Sequence, residues 1–314
     1  MTGPTTTVLV TGAGGPAGRA LGAQLAARAA ASAGEGRVEW VGVDIVPVVD
    51  ASYPVTDRAP RADAWEYATG MRDLVVRYGP DLVIPTVQDE LAQVAVLAQA
   101  LDGGARGRVF PEAVGGVLTA DPGPAALAAD KLLTMLALEG AGVPVPRFAL
   151  PTDFAGVAEA LAWARGPVVV KPRVSRGGRG VRLVESADDL PGPDAWTDLD
   201  ASWIVQTFAP GTEYCPQVYR RRSGGALAVV LEKTVLKQGR VGNAAAVVRP
   251  REGTLPDVEE VARAAVAALG LTGPTDLDVR RDATGAPVVL EVNGRFGANS
   301  ARAPELLAAV LDRT

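Results

Sequence analysis

The stretch Asp278-Val-Arg-Arg-Asp-Ala-Thr-Gly-Ala-Pro-Val-Val-Leu-Glu291-Val-Asn293-Gly-Arg295 carries both the fold and the chemistry of this chain. Two β-rich runs flank a turn in which Asp282, Thr284 and Gly285 are turn formers, and the second run, residues 287–292, is almost wholly apolar. This pattern predicts a β-hairpin. Glu291 and Asn293 stand two apart and so share one face of the strand, with Arg295 continuing the row. Asp278 lies on the partner strand and can come opposite them. Two carboxylates, an amide oxygen and a guanidinium around one spot suit a hard cation such as Mg²⁺, held by a few oxygens with the rest of its shell left to phosphate and water. A strand end with merely solvated charges would show the same residues, and other parts of the chain separate the two cases.

At 314 residues, with 48% hydrophobic and 21% charged, the chain can bury a full core and suits two or three domains. A formal charge of −5 and the absence of a basic run argue against a nucleic-acid partner. No apolar stretch reaches membrane-spanning length, and residues 1–7 lack the features of a signal peptide, so the expectation is a cytoplasmic protein with no membrane contact. The one cysteine, Cys215, excludes an internal disulfide and any cysteine-built metal site. There is no histidine, which removes the Ser-His-Asp triad, His-ligated zinc and a His general base together.

Only four of the 31 basic residues are lysines: Lys131, Lys171, Lys233 and Lys237. A sequence that uses arginine so freely makes each retained lysine a candidate for a task needing a compact, flexible point charge, such as reaching phosphate oxygens.

From the N-terminus, Thr7-Val-Leu-Val-Thr11, the turn Gly12-Ala-Gly14-Gly15-Pro-Ala-Gly18 and a helical segment over 19–33 form the opening strand-turn-helix unit of a doubly wound sheet. A dinucleotide fingerprint is one reading of this turn. It is weakened because the acidic residue closing the second strand (38–45), Asp44, lies 32 positions after Gly12 rather than roughly 20. A substrate-facing or structural turn is the other reading. Helices over 64–78 and 88–101 alternate with strands at 81–85 and 108–110, the signature of a parallel sheet with helices on both faces. Asp89 and Glu90 follow a strand end, where such sheets bind ligands, or else cap the next helix. The pattern breaks around 119–124, where the first domain boundary is expected.

A helix over 125–141 contains Asp130-Lys131 and stops at Gly142-Val-Pro-Val-Pro146. Next, the apolar strand Pro167-Val-Val-Val-Lys171 leads through a loop with Gly177, Gly178 and Gly180 to a second β run. Such a loop can lie on phosphates because nothing blocks its N–H groups, and the strand-end lysine supplies charge. Since it joins two strands, it would cover the phosphates as a flap; a mobile surface hairpin is the plain alternative. Trp203-Ile-Val-Gln206-Thr-Phe208 and the strand beginning near Glu213 flank a connector that could read a purine through its backbone, with a carboxylate for ribose hydroxyls. Strands at 217–219 and 226–235 and an amphipathic helix over 257–269 precede the hairpin.

In this order, Asp130-Lys131 with Gly142-Val-Pro-Val-Pro146, Val170-Lys171-Pro with Gly177-Gly-Arg-Gly180-Val, Gln206 through Glu213, and Asp278 with Glu291-Val-Asn293-Gly-Arg295-Phe-Gly, the chain resembles the ATP-grasp superfamily. It is similar to the carbamoyl-phosphate-synthase-like and D-alanine–D-alanine-ligase-like members over its whole length, and the 13-residue step from Asp278 to Glu291 matches the ligase spacing of paired metal carboxylates. The resemblance implies an α/β fold in which a Rossmann-like domain (1–120) precedes a two-part ATP-grasp unit, a lid (121–205) and a C-terminal part (206–314), with nucleotide between two antiparallel sheets. It assigns Lys131 and Lys171 to ATP phosphates, the Gly177–Gly180 loop to covering them, Gln206 and the Phe208 backbone to adenine, and Glu213 to ribose. It assigns Asp278, Glu291 and Asn293 to two Mg²⁺ ions, with Mn²⁺ an alternative. Arg295 would stabilise the transferred phosphoryl, and Lys233 and Lys237 would face substrate or γ-phosphate.

Two departures stand out. Asp276 occupies the place where D-alanine ligases carry an arginine. Beyond the metal strand, Arg302 or Ser300 is a candidate to grip a substrate carboxylate, unless Asn299 or Ser300 instead caps a helix. The implied activity is ATP-dependent ligation of a small carboxylic acid to a small amine through an acyl phosphate, with a homodimer in keeping with such relatives. A Rossmann oxidoreductase and a non-catalytic nucleotide-binding protein are the competing readings.

Overall fold

The computed structural model describes residues 5–31, 37–102, 116–175, 177–190 and 195–311. Four parallel strands come first: β1 (Thr6–Thr11), β2 (Val38–Asp44), β3 (Val55–Arg58) and β4 (Leu82–Ile84), in the order β3-β2-β1-β4. Helices α1 (Pro16–Ala31), α2 (Tyr67–Tyr78) and α3 (Leu91–Asp102) cover them. Because strand side chains alternate, Val8 and Val10 of β1 pack with Leu21 and Leu25 of α1, while Leu9 packs with Met71 of α2 and Val94 of α3. Burial on both faces explains why β1 and β4 are largely apolar, whereas the edge strand β3, Val-Thr-Asp-Arg, is mostly exposed. The strand expected at 108–110 and the last residues of the helix expected over 19–33 lie outside the described residues.

The next segment holds α4 (Pro122–Ala129), α5 (Lys131–Gly140), β5 (Phe148–Ala149), α6 (Val157–Ala164), β6 (Val168–Pro172), β7 (Arg182–Val184) and β8 (Trp203–Thr207). Its strands form an antiparallel sheet ordered β5-β8-β6-β7. Periodicity predicts one helix over 125–141; the structure breaks it at Asp130, whose backbone is extended (φ −115°, ψ 118°). The Asp130 carboxylate accepts the Leu132 and Leu133 N–H groups at 2.8 and 3.4 Å and pairs with Arg173 at 2.6 Å, so a capping aspartate starts a new helix.

The remaining elements are β9 (Glu213–Tyr214), β10 (Gln217–Arg220), β11 (Ala226–Val229), β12 (Glu232–Gln238), β13 (Val241–Val248), α7 (Pro256–Ala268), β14 (Gly273–Arg281), β15 (Pro287–Asn293) and α8 (Pro304–Leu311). The strands make a larger antiparallel sheet, β11-β10-β14-β9-β12-β13, with β15 also paired to β14. The run expected over 226–235 divides into β11 and β12, and β13 returns alongside β12. Val258, Ala262 and Val266 of α7 pack beneath Leu277, Val279 and Val289 of the predicted hairpin. On the other side Phe296, Leu306 and Val310 enter the same core as Val8, Val10 and Leu21, joining the parallel sheet to the large antiparallel one. No described helix is long and apolar enough to cross a membrane.

The opening turn depends on one close approach. A Cβ on Gly18 would stand 2.3 Å from the Gly12 carbonyl oxygen and 2.5 Å from Ala13 Cα, both backbone atoms that cannot swing away. Gly18→Ala is therefore expected to destabilise the protein by about 1–3 kcal/mol, read as a lower urea midpoint at unchanged slope.

Candidate active site

A cavity of about 970 Å³ lies where the two antiparallel sheets meet the C-terminal ends of the parallel strands. That is the upper end of the usual range for small-molecule sites. Lys171 of β6, Gln206 of β8, Lys233 of β12, Asp278 of β14 and Glu291 of β15 all line it.

The hairpin register places Asp278 opposite Glu291 and Asp276 opposite Asn293, so the predicted oxygens do gather on one face. Between Asp278 and Val279 the register shifts: Val279 pairs with Val289, leaving Leu290 as an extra residue on β15. A bulge of this kind frees a main-chain group from the ladder. The Leu290 carbonyl accepts a hydrogen bond from Lys171 Nζ at 3.0 Å. Burial pulls the Lys171 ammonium down to about 8, with Glu291 restoring only part of the loss.

Lys131 is buried rather than on the cavity wall; its Nζ donates to the Ser175 carbonyl at 3.1 Å and lies 3.4 Å from Glu291 Oε1. Burial would raise the Glu291 pKa, but Lys131, Lys171 and Arg295 outweigh it and hold the carboxyl below its ordinary value. Lys233 Nζ sits 2.6 Å from both Glu213 Oε1 and Asp278 Oδ1. Burial alone would depress this lysine; its two carboxylate partners overcome that and keep it charged. Lys237 is exposed on the cavity rim.

Gln206 lines the cavity with its Nε2 buried and without an acceptor among the described residues. The Phe208 N–H donates to the Pro167 carbonyl at 3.0 Å, which leaves its carbonyl as the backbone group of that residue for a ligand. The next amide, that of Ala209, lines the cavity and has no acceptor among the described residues. The Phe208 ring is flanked by two guanidinium groups, Arg240 at 4.5 Å and Arg280 at 4.7 Å. Arg280 also stands 3.3 Å from Glu213 Oε2, so the proposed ribose carboxylate is already held by Lys233 and Arg280. Arg280 was not among the predicted residues, although its place two after Asp278 on one strand puts both side chains on the same face.

The glycine loop lies across the cavity, with Gly178 close to Asn243 of β13. Gly177 (φ 69°) and Gly178 (φ 70°) need the left-handed backbone that favours glycine. Gly180 instead packs on Pro172 and Trp203 and is not on the cavity wall. Arg295 does line it, donating from Nη1 to the Phe296 carbonyl at 3.0 Å and lying 3.3 Å from Asp276 Oδ2. Asp276 in turn accepts from Gln217 Nε2, so the residue standing in place of an arginine anchors a different one. Arg302 is exposed and away from the cavity, and Ser300 is buried off it. Neither Asn299 nor Ser300 caps a helix: both lie within a short 3₁₀ turn, Ala298–Arg302, before α8.

At the parallel-sheet end, Asp44 Oδ2 accepts the Gly14 N–H at 2.9 Å. A carboxylate thus occupies the loop amide that a dinucleotide phosphate would need. Glu90, buried at the cavity wall, accepts from the Thr11 hydroxyl and from the Tyr67 hydroxyl at 3.1 Å; burial pushes its pKa up to about 7, against the pull of these hydrogen bonds.

The residues fit a nucleotide and a hard cation. The Gln206 and Ala209 donors are uncommitted, lysine charge converges from both sheets, and the Asp278, Glu291 and Asn293 oxygens share one face. An all-oxygen donor set suits Mg²⁺ or Mn²⁺.

Residues 128–299, more than half of the chain, match the family model described as ATP-grasp domain. The D-alanine–D-alanine ligase of Ectopseudomonas mendocina is 36% identical over 98 residues, covering 30% of this chain and 31% of that enzyme. The D-alanine–D-alanine ligase of Cupriavidus necator is 30% identical over 230 residues, covering 69% and 63%. This chain thus spans under a third of the length of the first relative and under two thirds of the second. Among solved structures, the L-amino acid ligase from Bacillus licheniformis superposes with a TM-score of 0.68 at 18% identity, covering 94% of this chain and 68% of that one. The N5-carboxyaminoimidazole synthetase of Staphylococcus aureus does so at 0.68 and 17% identity, covering 98% and 78%. These superpositions show a shared fold.

Lys233→Met leaves Glu213 buried with less compensation and is expected to cost about 3–5 kcal/mol. Lys237→Met, on the exposed rim, should stay within about 0.5 kcal/mol in the same urea titration. Glu90 has a folded pKa near 7 against an ordinary value of 4.5, so its contribution to stability is complete below pH 4.5 and is lost as pH rises through 7. The loss is roughly 3 kcal/mol, and Glu90→Gln should flatten the stability profile across that window.

Proposed function

Because this chain belongs to the ATP-grasp domain family, we propose that it is an ATP-dependent carboxylate–amine ligase that releases ADP and phosphate. The observation that carries this reading is the meeting of Lys171, from the small sheet, with the Leu290 bulge beside the paired carboxylates Asp278 and Glu291. Residues 1–120 then serve as a Rossmann-like preceding domain, 121–205 as the lid and 206–314 as the part bearing metal and substrate sites. The small and large antiparallel sheets clasp the nucleotide between them.

Gln206 and the Ala209 amide take the adenine, and Glu213, with Lys233 and Arg280 behind it, takes the ribose. Lys171 and the Gly177–Gly178 loop hold the phosphates, with Lys131 acting through Glu291 from beneath. Asp278, Glu291 and Asn293 would hold Mg²⁺, which supplies charge neutralisation on the phosphate oxygens when bound. Arg295, fixed by Asp276, faces the transferred phosphoryl.

The reaction needs no side-chain nucleophile. A substrate carboxylate oxygen attacks the γ-phosphorus, the bond to the bridging oxygen breaks, and ADP departs with that electron pair. The amine nitrogen then attacks the acyl carbon, phosphate leaves with the C–O electron pair, and the nitrogen passes its extra proton to a phosphate or carboxylate oxygen. The chain contributes positioning, fixed charge and a loop that limits water.

Thermal-shift measurements with ATP, ADP, NAD⁺ and NADP⁺, each with and without Mg²⁺, test this reading. ADP with Mg²⁺ at a hundred times its Kd should add about 2.7 kcal/mol of stability, and Lys171→Ala should remove most of that gain. Stabilisation by NAD⁺ or NADP⁺ alone would overturn the assignment. Since Lys171 titrates near 8 and phosphate favours its charged form, ADP affinity should fall as pH rises from about 8 towards 10, with proton uptake on binding measurable by calorimetry in buffers of different ionisation enthalpy.

A further inference from the structure

We propose that Lys233 is a single counter-ion shared by two ligand subsites, so that a divalent cation at Asp278 and hydroxyl groups at Glu213 compete through one ammonium. The identity of the two ligands rests on the ligase reading above; the sharing stands on the residues themselves.

Three neighbouring strands of the large sheet build the arrangement. The two-residue strand β9 lies between β14 and β12 and carries Glu213. Arg280 of β14 stands opposite Glu213 in register, and Asp278 precedes it by two positions on the same face. Lys233 comes from β12, on the other side of β9. Its side chain reaches across the short strand, with Nζ 2.6 Å from Glu213 Oε1 and 2.6 Å from Asp278 Oδ1. Both distances are those of charge-assisted hydrogen bonds, and neither carboxylate is favoured. Glu213, Lys233 and Asp278 all line the cavity.

No neighbouring cation is free to relieve the lysine. Arg280 stands 3.3 Å from Glu213 Oε2, but its guanidinium is pinned by the Gly211 carbonyl at 2.9 Å and the Arg240 carbonyl at 2.7 Å. Lys171 donates to the Leu290 carbonyl, Lys131 lies against Glu291, and Arg295 against Asp276. Among the described residues, Lys233 is the one cation within ion-pair distance of Asp278. On its flexible stem it is the charge that can move.

Burial sets the side from which a cation arrives. The Lys233 and Glu213 side chains are 3% and 5% exposed, whereas that of Asp278 is 25% exposed. A divalent cation therefore meets the triad at Asp278, where the ammonium already holds Oδ1, and like charges at such separations repel. The ammonium then turns to Glu213 alone. A carboxylate matched by its own ammonium is a weaker acceptor for hydroxyl donors than one that shares it, because uncompensated charge is what strengthens such hydrogen bonds. Linkage requires the reverse as well: hydroxyls on Glu213 return the ammonium to Asp278 and weaken the cation there by the same factor.

Two measurements on the full chain test this. Urea unfolding without ligand compares Glu213→Gln, Asp278→Asn and the double variant. Either single change leaves the buried ammonium one carboxylate and the double leaves it none, so the double should lower the folding equilibrium constant about tenfold beyond the product of the single effects. Glu213→Gln combined with Glu291→Gln, whose partner is Lys131, should stay within about threefold of that product. The second measurement is calorimetric titration with ADP and with 2′-deoxy-ADP, each in Mg²⁺ and in EDTA. The preference for ADP is expected to fall about fivefold when Mg²⁺ is present. In Asp278→Asn it should be low already in EDTA, while in Glu291→Gln in EDTA it should match the unsubstituted chain; loss of metal binding alone moves neither. The proposal is overturned if the Glu213 and Asp278 changes multiply to within about threefold, if Mg²⁺ leaves the preference unchanged or raises it, or if Asp278→Asn leaves it unchanged in EDTA. Should the double variant not fold, the nucleotide pair decides. Should ADP not bind, the ligase reading falls, and the unfolding cycle still decides whether one ammonium serves both carboxylates.

Discussion

Three buried ammonium groups govern this structure. Lys131, Lys171 and Lys233 are each less than a tenth exposed, and an unpaired charge at such depth would cost several kcal/mol. Each is therefore bound to find oxygens, and for all three at least one of these belongs to the β14–β15 hairpin. Lys171 reaches from β6 to the Leu290 carbonyl, Lys131 from α5 to Glu291, and Lys233 from β12 to Asp278. One of these links, that of Lys171, ties the small sheet to the large one, so a hydrogen bond from a buried ammonium joins the two sheets as well as packing. A cavity between layers that apolar contact alone would tend to close is thereby held open and lined with polar groups.

The bulge at Leu290 shows how a small irregularity serves that constraint. Strand β15 pairs with β14 alone, and in an unbroken ladder each of its carbonyls that faces β14 would be spent on that neighbour. The extra residue releases the Leu290 carbonyl at the point where β6 delivers Lys171, while the partner strand keeps its alternation, so Asp276, Asp278 and Arg280 continue along one face. One residue of slippage thus yields a cation site without turning any carboxylate away.

What the sequence revealed and what it hid divide along sequence separation. The Asp278–Glu291 pairing was legible because a short hairpin with period-two alternation leaves few registers open. The lysines were legible because arginine is used nearly everywhere else. The break at Asp130 was missed, since its cause includes Arg173, 43 residues away, whose pull on the carboxylate supplements the local cap. Strand β13 was missed because its alanine-rich run has weak β preference and owes its place to pairing with β12. Glu213 is read from the sequence as a carboxylate for ribose, but its burial against Lys233 and Arg280 could not be read there, because these partners lie 20 and 67 residues away and local pattern cannot supply them. The conflict at Arg302 has the same root: sequence proximity to the metal strand did not predict that the 3₁₀ turn would carry its side chain to the surface.

These partnerships also bear on how a charged ligand could enter. With the pocket as described, the carboxylates Asp278 and Glu291 and the lysines Lys233 and Lys131 already neutralise one another. On the reading proposed above, a magnesium nucleotide would bring a cation for the carboxylates and anionic phosphates for the lysines, so its arrival would exchange partners rather than leave either set unpaired. Buried pairs are often near neutral for stability when compared with apolar replacements, which makes such an exchange inexpensive from the side of the protein. The parallel-sheet end is different, for Asp44 and Glu90 there are met by hydrogen-bond donors and not by lysine. The two ends of the cavity thus hold their carboxylates by different means, ammonium partners at one and hydrogen-bond donors at the other.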